Sequence, residues 1–148
     1  MSERIRLTAA ARKAHPDLAY SREQLAGRHG VTYTFTVAVN VEGYAARLVT
    51  IQFSSRSPDV PLVFVDGPAD SPHRYAALRG TTREPLCLWY PRDPHDRRWV
   101  PDDGLLGLIA LVTLHLFKEA WWRENDHRWI GEEAPHGDST KKGDDRAA

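Results

Sequence analysis

One cysteine, Cys87, stands among 148 residues, beside a single methionine. A lone cysteine excludes an internal disulfide, and the opening Met-Ser-Glu-Arg-Ile-Arg lacks the apolar stretch of a secretory signal, so a reducing cytoplasm is the expected compartment. An excess of either charge is missing too: 20 Lys plus Arg balance 20 Asp plus Glu, a formal net charge of +0. No global field draws the chain to nucleic acid or to an anionic membrane. The longest apolar run, Leu105 to Phe117, is interrupted by Gly107, Thr113 and His115. It stops short of the roughly 18 to 20 residues that span a bilayer, so it reads as a buried helix and no membrane partner is expected.

What is present reads as one α+β domain over residues 1–137, followed by a polar tail at 138–148 expected to be disordered. Leu7 to Arg28 holds helix formers broken by Pro16, which predicts a short helix and a possible second helical turn. Val31 to Val41 alternates cleanly, with Tyr33, Phe35, Val37, Val39 and Val41 on one face of a strand. Glu42-Gly43 predicts a tight connection into a second strand, Tyr44 to Phe53, and hence an antiparallel hairpin. Pro58 and Pro61 bracket an expected turn before a third short strand, Leu62 to Val65. A long irregular stretch then holds His73, Tyr75 and Cys87. Asp102 or Asp103 is expected to cap a helix from about Leu105 to Arg123, apolar nearly all round at its start and amphipathic near Lys118 and Glu119.

The order helix, three-strand meander, irregular segment with one cysteine, then helix resembles the ubiquitin-conjugating-enzyme fold. That family carries a His-Pro-Asn segment, an active cysteine followed by Leu, and a Trp-x-Pro opening the helical part. The matching stretches here are Ser71-Pro72-His73-Arg74-Tyr75, Leu86-Cys87-Leu88 and Trp99-Val100-Pro101. Two departures stand out: His73 occupies the Asn position, and the spacing from Pro72 to Cys87 is longer than usual. Leu86 to Pro91, with Trp129-Ile130-Gly131-Glu132-Glu133-Ala134-Pro135-His136-Gly137, is similar to the prokaryotic conjugating-enzyme-like component of antiphage (CBASS) operons. The resemblance covers about residues 5–137. It implies that Cys87 accepts the C-terminal glycine of a partner, expected to be a cGAS/DncV-like nucleotidyltransferase, as a thioester and delivers it to a lysine-bearing target. A separate activating enzyme is a possible further partner, the chain being short for a fused adenylating domain.

The residues themselves leave more open. A carrier thiol must ionise, stand exposed and leave again when an amine attacks, which suits Cys better than Ser. Ordinary cysteine ionises near ~8.5, and nearby cations lower this; His73, Arg83, Arg92 and His95 are the local candidates. A lone cytosolic cysteine is more commonly a small buried hydrophobe. His73 is either an acid, base or oxyanion donor, or a loop histidine packed beside Tyr75. Asp93 and His95, in the loop after Cys87, could orient or deprotonate an incoming amine, although such a charged, proline-bearing loop is more often simply solvated. The catalytic candidates are thus Cys87, His73, His95 and Asp93, with no cofactor and no metal. His115 and Glu119 share a helix face compatible with a metal, but without a third ligand they read as a structural pair. Trp121, Trp122 and Trp129 read as one packed aromatic cluster. A non-catalytic conjugating-enzyme-like binding module and a cysteine hydrolase are the rival functions.

Overall fold

A computed structural model describes residues 2–24, 29–77, 83–89 and 92–131, with residues 2–7 and 95 described in backbone only. The fold is α+β: a four-stranded antiparallel sheet with two helices. Helix α1, Ser2–Ala14, stops ahead of Pro16, where the proline ring disfavours helical conformation in the preceding residue. Arg12 and Lys13 lie in its last turn, where cations suit the helix dipole, and Ala11 enters the core.

Among the described residues, those after Pro16 do not resume a helix; positions 25–28 of the expected helical stretch lie outside them. Ala19–Gln24 forms strand β1, antiparallel to β2 (Val31–Val39). Arg22, Glu23 and Gln24 favour helix locally, but pairing decides otherwise: Tyr20 stands opposite Phe35 with ring centroids 5.1 Å apart, and Asp17 Oδ2 accepts the Ala38 amide at 3.0 Å. In β2, Phe35, Val37 and Val39 are buried, as the alternation predicts. The hairpin to β3 (Arg47–Ser54) is antiparallel, but its connection is longer than Glu42-Gly43, because pairing resumes only at Val39 with Arg47. Gly43 lies at φ +82, a left-handed conformation that glycine adopts without strain.

Pro58 and Pro61 do not bracket a turn; both lie within β4, Ser57–Val65. The turn falls earlier, between Ser54 and Ser57, which pair with each other. Prolines fit β4 because it is the terminal strand of the order β1-β2-β3-β4 and because Pro58 and Pro61 fall between its paired residues Ser57 and Leu62, where the register with β3 is irregular and no β3 partner is lost.

Trp99 is buried and donates from Nε1 to the Gly104 carbonyl at 2.7 Å, while its ring meets Phe53 at 5.7 Å. Pro101 then opens a short turn, Pro101–Asp103, running directly into helix α2, Gly104–Glu124. Neither aspartate caps α2 with its side chain. Asp103 Oδ2 instead turns back to accept the Val100 amide at 3.1 Å, closing the preceding turn. Leu105, Leu108, Ile109, Val112 and Leu116 recur at helical spacing and fill the core with Val37, Val49, Ile51 and Val63. Length and composition alone would let this helix cross a membrane, but here that stripe is buried.

Candidate functional site

Beyond β4, two short extended pieces attach to the sheet. The Leu86 amide donates to the Val63 carbonyl at 2.8 Å, fixing the cysteine segment beside β4. On its far side, the Cys87 amide donates to the His73 carbonyl and the Tyr75 amide to the Pro85 carbonyl, each at 2.9 Å, around an antiparallel bridge between Arg74 and Leu86. His73 therefore stands opposite Cys87, in a register where Cβ atoms are ordinarily about 4.5–5.5 Å apart. The long interval between Pro72 and Cys87 closes on itself to make this ladder.

The thiol is not exposed as a waiting carrier thiol was expected to be. Cys87 is 5% accessible, and its Sγ–H points to the Trp89 carbonyl at 3.8 Å. The same carbonyl accepts the Tyr75 hydroxyl at 3.2 Å. Thiol and phenol thus converge on one backbone oxygen, and Tyr75, 44% exposed, carries that meeting point to the surface.

His73 is buried, its amide turned onto Ser71 Oγ at 3.1 Å. Its ring centroid lies 4.0 Å from that of Trp129 and 6.4 Å from that of His115. Beside these rings sits Glu119, which has no solvent exposure. Arg74 grips both of its oxygens, Nε to Oε2 at 2.9 Å and Nη2 to Oε1 at 2.8 Å, and Arg123 Nη2 reaches Oε1 at 3.3 Å. His115 Nε2 stands 3.3 Å from Oε2 but is not aligned for a hydrogen bond. Burial alone would raise the Glu119 pKa; the contacts from His115 and Arg74 outweigh it and hold the carboxyl well below the usual carboxylate range. Both guanidiniums also donate to the Pro68 carbonyl, and Arg123 Nε donates to Asp70 at 2.8 Å. The segment from Pro68 to Arg74 is therefore bound to α2 at both ends.

No protein-family model, curated protein or solved structure matches the chain.

Of the four candidates, Cys87 and His73 are brought together. Asp93 is buried rather than solvated in its loop. The backbone of His95 opens a short turn, His95–Arg97, and its side chain lies outside the described residues. Arg83, a candidate for acidifying the thiol, lies over the Phe64 ring at 4.0 Å. His115 and Glu119, expected as a structural pair, do stand side by side, though without an aligned hydrogen bond, and Glu119 is in addition the buried centre of the ionic group with Arg74 and Arg123. The three tryptophans also part company: Trp121 meets Phe117, Trp122 stacks on His127 and Trp129 caps His73. Residues 132–148, with His136, lie outside the described residues.

Arg74, Ser71 and Arg123 were not among the candidates. One signal for them was available: His115, Glu119 and Arg123 recur every fourth residue along a helix otherwise rich in Leu, Val and Ile. Such a polar stripe on a buried face demands a partner, and Arg74 is that partner.

Proposed function

We propose that this chain is a ubiquitin-conjugating-enzyme-like transferase in which Cys87 carries an acyl group as a thioester. The observation that carries the reading is the convergence of the Cys87 thiol and the Tyr75 hydroxyl on the Trp89 carbonyl, at the end of a ladder that sets His73 opposite the cysteine. The α+β architecture is compatible with the conjugating fold: meander, cysteine segment, Trp99-Val100-Pro101 and helix follow in that order. In the loading step, the Cys87 thiol gives its proton to water, Sγ forms a bond to the C-terminal carbonyl carbon of the incoming protein, and the bond from that carbon to the activating group breaks, the group leaving with the electron pair. In discharge, an amine nitrogen attacks the same carbon, the C–S bond breaks, its electron pair returns to Sγ, and the surplus amine proton passes to water. Loading requires the segment around Trp89 to move, because the resting thiol is covered. The protein loaded is proposed to be a cGAS/DncV-like nucleotidyltransferase, with a separate activating enzyme where one is needed and lysines of other proteins as acceptors, in cytoplasmic antiphage defence.

Mixing the chain with a nucleotidyltransferase encoded beside it, with any activating enzyme supplied, tests this on non-reducing gels. A thiol-sensitive adduct that Cys87→Ser abolishes supports the carrier. Adduct lost to water without transfer to lysine identifies a hydrolase instead.

A second reading has a specific observation behind it. Cys87 is buried with its S–H donated to the Trp89 carbonyl, as a cysteine serving only as a small core residue would be. The chain would then be a non-catalytic binding module. Complex formation that persists in Cys87→Ala, with no adduct from the unmodified chain, decides for that module.

A further inference from the structure

Buried ion pairs are poor value as stabilising devices: removing two charges from water costs several kcal/mol each, and well-packed apolar residues often serve as well. The Arg74–Glu119 pair nevertheless sits at the centre of a polar stripe, His115, Glu119 and Arg123, on a helix otherwise rich in Leu, Val and Ile, with both oxygens of the carboxylate contacted. Its location supplies the reason. Arg74 lies between His73, which faces Cys87 across the ladder, and Tyr75, whose hydroxyl shares an acceptor with the thiol. The ladder's own bonds fix the spacing of this segment from Cys87, and His73 against Trp129 and Tyr75 on the Trp89 carbonyl restrain it on one side. The bidentate arginine grip adds a tie to α2, and a planar guanidinium matched to both carboxylate oxygens defines orientation as well as distance. Arg123 holds the other end of the segment through Pro68 and Asp70.

We infer that Arg74 and Glu119 are positioning residues for the reaction at Cys87, fixing from α2 the His73–Tyr75 segment that pairs with the cysteine strand. The inference rests on Cys87 being a carrier, and the two are separated as follows. The full-length chain is acetylated at Cys87 with p-nitrophenyl acetate, which transfers its acetyl group to Sγ and releases p-nitrophenolate. Discharge to free lysine is then followed by mass spectrometry of the cysteine peptide, across a range of lysine concentrations. The native protein is expected to discharge faster than the urea-unfolded chain; equal rates overturn the carrier reading and this inference with it.

Given that acceleration, Arg74→Lys keeps the charge but loses the bidentate grip. It is expected to lower the rate at saturating lysine on the order of 100-fold, the loss typical of a misplacement of about 1 Å, with little change in the half-saturating lysine concentration. The paired replacement Arg74→Met with Glu119→Leu is the decisive variant. It is expected to melt near the temperature of the unmodified chain yet discharge as slowly as Arg74→Lys. Discharge at the unmodified rate from either folded variant means the pair serves the fold alone and overturns the positioning role, while the carrier reading stands.

Discussion

Glu119 receives both arms of the Arg74 guanidinium, at 2.9 and 2.8 Å, on a carboxylate with no access to solvent. This one contact joins the last third of α2 to the segment paired with the cysteine strand, so the helix, the ladder and the sheet share a common anchor.

Removing one member of that anchor should be far more damaging than removing both. Glu119→Ala leaves the Arg74 guanidinium, only 4% exposed, without its counter-charge, and Arg123 loses part of its own. A loss of about 3–5 kcal/mol of unfolding free energy is expected. Replacing the pair with Met and Leu should recover most of it, since the fully buried charges are both gone and Arg123, 20% exposed, keeps Asp70. Urea denaturation of the three proteins checks the ordering; a loss below about 1 kcal/mol for Glu119→Ala would place the interaction among ordinary surface pairs.

Glu119 also ties stability to acidity. Its folded pKa is depressed, so the folded state binds its proton less readily than the unfolded chain does. That contribution is fully present above the unfolded value of 4.5 and is lost progressively as the pH falls below it. Melting temperatures should therefore fall on acidification from about pH 5 downward. Glu119→Gln, less stable at neutral pH, should show a shallower fall over the same range. Parallel curves for the two proteins would remove Glu119 as a source of the acid sensitivity.

The parts of this fold visible in the sequence are those whose burial is one-sided and local. β2 reads plainly because Phe35, Val37 and Val39 alternate toward the core, and α2 because its apolar residues recur every three or four positions. β1 is hidden because all six of its residues stay exposed, so no hydrophobic period marks it and its existence depends on β2. β4 is disguised by prolines that only a terminal strand tolerates. The site divides the same way. Cys87 is marked by uniqueness and by its neighbours, whereas the partner of Glu119 lies 45 positions away along the chain. A pairing of that kind has no local signature, only the oddity of a carboxylate among buried aliphatic residues.

Tyr75→Phe isolates the hydroxyl at the mouth of the site. The bond to the Trp89 carbonyl is exposed, so its loss should cost no more than about 1 kcal/mol of stability. Transfer from acylated Cys87 to lysine should slow by roughly 10-fold, the equivalent of one hydrogen bond, because the phenol no longer holds the Trp89 carbonyl beside the cysteine. Chemical denaturation beside single-turnover discharge measures both. An unaltered discharge rate would leave the phenol a structural clasp on Trp89.

The covered thiol makes the sharpest demand on the fold. A cysteine that is 5% accessible and bonded to a carbonyl two residues on must be uncovered before any acyl donor reaches it. Labelling with a neutral alkylating reagent should therefore be at least about 100-fold slower in the native protein than in urea, because buried cysteines are inert relative to exposed ones. If uncovering is a local motion around Trp89 rather than global unfolding, the labelling rate should hold constant through low urea concentrations and rise only near the unfolding midpoint. A rate that climbs steadily from the first addition of urea ties access to global unfolding instead. Cys87 would then behave as a core residue, and the carrier reading would yield to the binding module.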